Sequence, residues 1–176
     1  APEAPRDVMT PAEAYVLTSM MTSVLDHGTA RAARRRGRPL AGKTGTSNEA
    51  RDAWFVGFSP ELVAGVWVGF DDRRSLGRRE SGARSALPIW MELMERALVG
   101  RPRAGFPVPS GIETVRIDPA TGLLAYEGQD NGIDEVFLEG TAPTETASPP
   151  DEVDPNRFLM EQFGTEAEGE ESEEGT

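Results

Sequence analysis

Three strand-like runs separated by turns of a few residues leave residues 40–70 little choice of architecture. Leu40 to Thr46, Ala53 to Phe58 and Leu62 to Phe70 are joined by Ser47 to Arg51 and by Ser59-Pro60-Glu61. A parallel crossover needs roughly a dozen residues or more, so connections this short predict antiparallel neighbours. The second run alternates around Trp54 and Val56 and the third is rich in Val, both patterns of a pleated, half-buried surface. Gly42, Gly45, Gly57, Gly65 and Gly69 recur inside the runs. Such glycines weaken a strand but let a backbone or a ligand come close, so something is expected to lie against this sheet.

Helices are expected on either side of these runs. Over residues 10–27, Thr10 is a natural N-cap, Pro11 fits the first helical position and Glu13 completes a T-x-x-E capping box. Ala14, Leu17, Met21 and Val24 form its apolar stripe, widened by Met20 and Leu25, and Gly28 reads as a left-handed stop. His27, the one histidine, falls in the last turn, where an imidazole suits the helix dipole. A second helix is expected from Ala83 to Val99, with Leu87, Trp90, Met91, Met94 and Leu98 on one side, Pro88 in its first turn and Gly100 ending it. Met20, Met21, Met91 and Met94 read as core fillers. Short strands around Val115, Ile117 and Val136 to Leu138, with a D-P-A-T-G turn at Asp118 to Gly122, predict a small β extension over residues 105–140.

Composition removes several classes of function. The formal charge is −12, and residues 141–176 carry eleven acidic side chains against one basic, Arg157. That stretch is too poor in apolar residues to offset the entropy of ordering it, and reads as a disordered acidic tail. Within it Val153, Phe158, Leu159, Met160 and Phe163 suit one short docking turn. Arg31, Arg34, Arg35, Arg36 and Arg38 form a basic loop, but no aromatics interleave with them and the chain is acidic, so no nucleic-acid partner is expected. There is no cysteine, which excludes thiolate catalysis, disulfides and Cys-based zinc sites. No run approaches the roughly 20 apolar residues of a membrane span, and the start lacks a basic segment leading into an apolar one. The residues given are expected neither to cross a membrane nor to address one.

Of the 18 basic residues 17 are arginine, so any chemistry that needs a lysine must use Lys43. Two motifs compete for it. Residues 37–44, G-R-P-L-A-G-K-T, match the phosphate-binding loop G-x-x-x-x-G-K-[ST], and Leu62 to Asp71 resembles the magnesium-binding strand such proteins use. A phosphate loop follows a buried strand and opens a helix, whereas here an Arg-rich loop precedes and turn and strand residues follow. Residues 43–46 also read K-T-G-T on a strand that turns back into another strand. This is the third motif of active-site serine enzymes that act on D-alanyl peptides and β-lactams.

The context of that motif is specific. Residues 37–58 read G-R-P-L-A-G-K-T-G-T-S-N-E-A-R-D-A-W-F-V-G-F, followed by L-V-A-G-V-W-V-G-F-D-D and then S-A-L-P-I-W. With T-P-A-E-A-Y-V-L-T-S-M-M before it and T-V-R-I-D-P-A-T-G-L-L-A and V-F-L-E-G-T-A-P-T after it, the chain resembles class A, bifunctional penicillin-binding proteins over about residues 8–144. The likeness is to the C-terminal part of their transpeptidase domain. It implies an α+β fold, a partial penicillin-binding/β-lactamase-like fold with an antiparallel sheet flanked by helices, over residues 1–104. The β extension at 105–140 and the tail at 141–176 would follow.

The resemblance implies an enzyme that cross-links peptidoglycan on the periplasmic face of the bacterial inner membrane, next to an upstream glycosyltransferase domain. Its partners are stem peptides, a D-Ala-D-Ala donor and an amine acceptor, and β-lactams, and its transpeptidase chemistry implies no metal and no organic cofactor. Lys43, Thr44, Gly45 and Thr46 would hold the substrate, with Lys43 in the catalytic machinery and the backbone N–H of Thr46 in the oxyanion hole. The family's nucleophile lies in S-x-x-K, which with Lys43 would need serine at position 40, where Leu40 stands. Its S-x-N motif has no match either, because Thr46, Gln129 and Asp154 precede Asn48, Asn131 and Asn156 by two residues. The chain is therefore expected to be an inactive C-terminal piece whose nucleophile and membrane anchor lay upstream. The competing functions are a non-catalytic cell-wall interaction module and nucleotide binding at residues 37–44.

Overall fold

The computed structural model describes residues 7–30 and 37–149. Arg31, Arg34, Arg35 and Arg36 and the docking turn expected in the acidic tail lie outside the described residues. The described residues form two compact units, 7–30 and 37–113 with 136–140, and 114–135 with 141–149.

In the first unit, α1 spans Pro11–Asp26. Its start is the capping box that the sequence predicts: the Glu13 N–H donates to Thr10 Oγ1 (3.3 Å) and the Thr10 N–H to Glu13 Oε2 (2.7 Å). Those bonds from the Thr10 N–H and hydroxyl hold the Glu13 carboxyl below its ordinary value. Two expectations about α1 need correction. Met20 is not a core filler but 60% exposed, and Leu25 is the buried residue of the helix. Gly28 is not left-handed, since it is absent from the positive-φ positions. A Cβ at Gly28 would instead stand 2.8 Å from the Val24 carbonyl oxygen, so glycine is needed there for close approach to the last turn.

Three strands follow: β1 (Ala41–Thr46), β2 (Asp52–Phe58) and β3 (Val63–Gly69). They form one antiparallel sheet in the order β1-β2-β3, with Thr44 facing Phe55 and Phe55 facing Val66. Strand periodicity then separates two faces. Ala53, Phe55, Gly57, Ala64, Val66 and Val68 turn towards the core, and Phe55 lies 4.8 Å from Trp90 between ring centroids. Lys43, Trp54, Val56 and Trp67 turn the other way and are exposed.

The second helix departs from its expected form. Residues Gly82–Ala86 make a π-turn and the α-helix α2 runs only from Leu87 to Ala97. Pro88 explains the difference, because a proline has no N–H for the residue four before it and its ring crowds that carbonyl. Widening the turn accommodates this, and the Leu87 N–H bonds the Gly82 carbonyl oxygen. Leu87, Trp90, Met94 and Leu98 are buried with Leu25, Leu40, Phe55 and Ala86, and the Trp90 Nε1–H donates to the Ala64 carbonyl (2.9 Å). Gly100 ends the element with φ 74°. Arg38 donates to the carbonyls of Leu98 (2.7 Å) and Pro102 (2.9 Å), which ties the segment before β1 to the chain just after α2.

Strands β4 (Ile112–Ile117) and β5 (Ile133–Leu138) form a two-stranded sheet. In the second unit the D-P-A-T-G turn closes through the Gly122 N–H to the Asp118 carbonyl (2.8 Å). The buried Asp118 carboxylate accepts from the Ala120 N–H (3.1 Å), the Thr121 hydroxyl (2.8 Å) and the Gln129 amide (3.0 Å). The Ala120 N–H first and the Thr121 hydroxyl second hold it below its ordinary value. Among the described residues no helix is long and apolar enough to cross a membrane.

Candidate functional site

K-T-G-T occupies the last four positions of β1, at one edge of the three-stranded sheet. The Ser47 N–H donates to the Asp52 carbonyl (3.0 Å), which makes that facing pair a hydrogen-bonded one. Alternation along an antiparallel ladder then turns the main-chain groups of Lys43 and Gly45 towards β2. Those of Thr44 and Thr46 turn outward, to the open edge. The Thr44 carbonyl is where this predicts, free of β2 and accepting from Lys43 Nζ (2.9 Å).

The side chains of the motif alternate as well. Lys43 is exposed on the face of Trp54 and Val56, and among the described residues it pairs with no carboxylate. Thr44 and Thr46 belong to the opposite face: the Thr44 hydroxyl lies 3.4 Å from that of Thr29, and Thr46 Oγ1 accepts from the Gly82 N–H (3.2 Å). Gly82 packs against the backbone of both β1 and β2: a Cβ on it would stand 2.8 Å from the Gly45 carbonyl oxygen and closer still to that of Trp54. Gly82 has no room for a side chain, whereas a Cβ on Gly45 would meet the Trp54 Cβ at 3.2 Å.

Sequence reasoning did not single out Gly82. Its partner Thr46 is 36 positions away, beyond the reach of any local pattern, and only the glycine ahead of the proline-bearing helix hinted at it. Also missed was the docking of the loop after β3 onto the β1–β2 connection. The Leu76 N–H donates to the Ala50 carbonyl (2.8 Å) and the Ser75 hydroxyl to the Glu49 carbonyl (2.7 Å). Glu49 (φ 62°), Ala50 (φ 50°) and Arg73 (φ 56°) are the non-glycine residues with positive φ among those described. All three lie in these two loops. Left-handed non-glycine residues cost about 1–3 kcal/mol each and persist where their surroundings over-determine them.

The phosphate-loop pattern at residues 37–44 does not meet its structural requirement. Lys43 and Thr44 lie within β1, so no helix N-terminus follows to offer N–H groups to a phosphate. A cavity of about 310 Å³ lined by Leu40, Met91, Met94 and Leu98 with Arg38 and Arg103 lies against α2, on the face opposite Lys43. It is separate from the motif. Among the described residues no group of histidine and carboxylate side chains is placed to hold a metal.

The profile of the penicillin-binding protein 1A C-terminal domain matches residues 108–150. Penicillin-binding protein 1A of Pseudomonas aeruginosa is 45% identical over 139 residues, 78% of this chain and 17% of that protein. The Aquifex aeolicus protein of the same name is 44% identical over 142 residues, 81% of this chain and 19% of its own length. The chain thus spans less than a fifth of the length of these relatives. The crystal structure of penicillin-binding protein 1A from Haemophilus influenzae superposes with a TM-score of 0.71 at 34% identity, over 80% of this chain and 22% of that one. Motifs, antiparallel α+β architecture and matches agree: the chain belongs to the class A penicillin-binding protein family and corresponds to part of the length of its 1A members.

Proposed function

We propose that this chain supplies the substrate-carboxylate strand of a serine D,D-transpeptidase that cross-links peptidoglycan stem peptides and is acylated by penicillin. The observation that carries the reading is the open edge of β1, where Thr44 and Thr46 turn their main-chain groups outward beside Lys43, which among the described residues has no carboxylate partner. A peptide laid along that edge extends the sheet by one strand. The donor's terminal carboxylate takes a charge-assisted bond from Lys43 on one face of β1 or bonds from the hydroxyls of Thr44 and Thr46 on the other. The 3.4 Å separation of the Thr29 and Thr44 hydroxyls is long for such a bond, so a carboxylate competes for it readily. The Thr46 N–H supplies one oxyanion donor and the nucleophile's own N–H the other.

In this reading the serine and its activating lysine belong to the rest of the protein. The serine oxygen attacks the penultimate D-alanine carbonyl, the terminal D-alanine leaves with a proton on its amine, and the acceptor amine displaces the serine to form the cross-link. The reaction faces the periplasm, reached through an anchor elsewhere in the protein, beside a glycosyltransferase domain. Residues 1–104 are the end of the transpeptidase domain, 105–140 a β extension and 141–176 an acidic tail. The 176 residues alone form no covalent penicillin adduct.

Fluorescent-penicillin labelling of the full-length protein tests this. Lys43→Ala is expected to lower the labelling rate by the worth of a charged hydrogen bond, about 1.5–3 kcal/mol or roughly 10–150-fold. Labelling of a folded protein at the wild-type rate contradicts it.

A further inference from the structure

The loop between β3 and the π-turn carries Arg73, Arg74, Arg78 and Arg79. Arg74 is engaged, stacked 3.9 Å over the Phe70 ring and 3.7 Å from Asp72. The carboxylate of Glu80 accepts from the Ser85 hydroxyl. Arg78 and Arg79 are exposed, and among the described residues neither has a carboxylate partner. Among the described residues two adjacent guanidinium groups of this loop are thus left without a carboxylate.

That loop is tied to the candidate site. Ser75 and Leu76 bond the carbonyls of Glu49 and Ala50 just beyond β1, and the Gly82 N–H bonds Thr46 Oγ1. Arg79 precedes Gly82 by three residues, so its Cα lies within about 11 Å of the Gly82 Cα, which itself packs on the end of β1. The three left-handed non-glycine residues fall in these same two loops, which marks the junction as a held geometry.

Cross-linking brings two peptides to one site. Each stem peptide that retains its terminus ends in a carboxylate. Lys43 is the single lysine, and in the function proposed above it holds the donor. A second carboxylate must find an arginine, whose planar fork suits bidentate binding. We propose that Arg78 and Arg79 form the subsite for a carboxylate of the acceptor peptide, a step that rests on the transpeptidase reading.

The test uses the full-length protein as wild type, as the Arg78→Ala/Arg79→Ala variant and as the Arg78→Lys/Arg79→Lys variant. Two quantities are read: the second-order rate of penicillin acylation, and the dependence of cross-linking on a soluble acceptor peptide with free or amidated carboxylates. The alanine pair is expected to raise the acceptor KM about tenfold while acylation changes less than twofold, and the lysine pair to recover most of the loss. Amidating the acceptor is expected to weaken it for wild type and to leave it indifferent to the alanine pair. An acceptor KM within twofold of wild type overturns the subsite, as does an equal fall in acylation. Wild-type protein that takes no penicillin overturns the transpeptidase reading and the subsite with it.

Discussion

Gly82 is held where no side chain fits. A Cβ there would stand 2.8 Å from the Gly45 carbonyl oxygen and 3.1 Å from the Gly45 nitrogen, both backbone atoms that cannot swing aside. Gly82→Ala is therefore expected to push the π-turn off β1, break the 3.2 Å bond to Thr46 and destabilise the protein by about 1–3 kcal/mol. Chemical denaturation checks the stability, and the penicillin-acylation rate of the full-length variant checks the site, where a fall is expected. Unchanged stability and acylation would mean that the contact with β1 is not held in solution. Lys43 differs in kind. It is exposed and among the described residues bonds only its neighbour's carbonyl, so its loss is expected to change acylation and to leave folding stability within about 0.5 kcal/mol.

Among the elements, the strands were the most legible part of the sequence. Turns at 47–51 and 59–61 force β1, β2 and β3 into antiparallel contact, and alternation around Trp54 and Val56 gives their faces. α1 was legible at its start, where the capping box is local, and less so at its end, where Gly28 serves close packing instead of a left-handed turn. The π-turn was not legible, although Pro88 marked the place. The docking of residues 75 and 76 on 49 and 50 could not be read, because partners 26 positions apart leave no periodic signal.

The turn at Asp118 carries a prediction in pH. Its carboxylate lies below the ordinary 3.8 in the folded chain, so between the two values the unfolded chain binds more protons. The stabilisation is complete above about 3.8 and is lost as pH falls through the lowered value. Asp118→Asn is expected to melt at lower temperature than wild type near neutral pH, and the gap to close in acid. A gap that is constant from neutral to acid pH would remove the carboxylate from the account.

For the whole molecule, the face of the sheet that bears Lys43 is apolar in a way water does not favour. Trp54 (46%), Val56 (43%), Val63 (67%) and Trp67 (44%) are exposed together on β2 and β3. Patches of this kind mark contact surfaces or drive self-association. The 176 residues prepared alone are expected to associate as their concentration rises. Val63→Thr with Trp67→Ser is expected to shift sedimentation towards monomer. A wild-type chain that stays monomeric with a cooperative melt would contradict this.

If the open edge of β1 receives the substrate's carbonyl and carboxylate, a crystal structure of the full-length protein acylated by penicillin is expected to place the acyl carbonyl oxygen within about 3 Å of the Thr46 nitrogen, with the drug's carboxylate bonded to Lys43 or to the threonine hydroxyls. An acylated protein whose bound drug makes no contact with Lys43, Thr44 or Thr46 would contradict it.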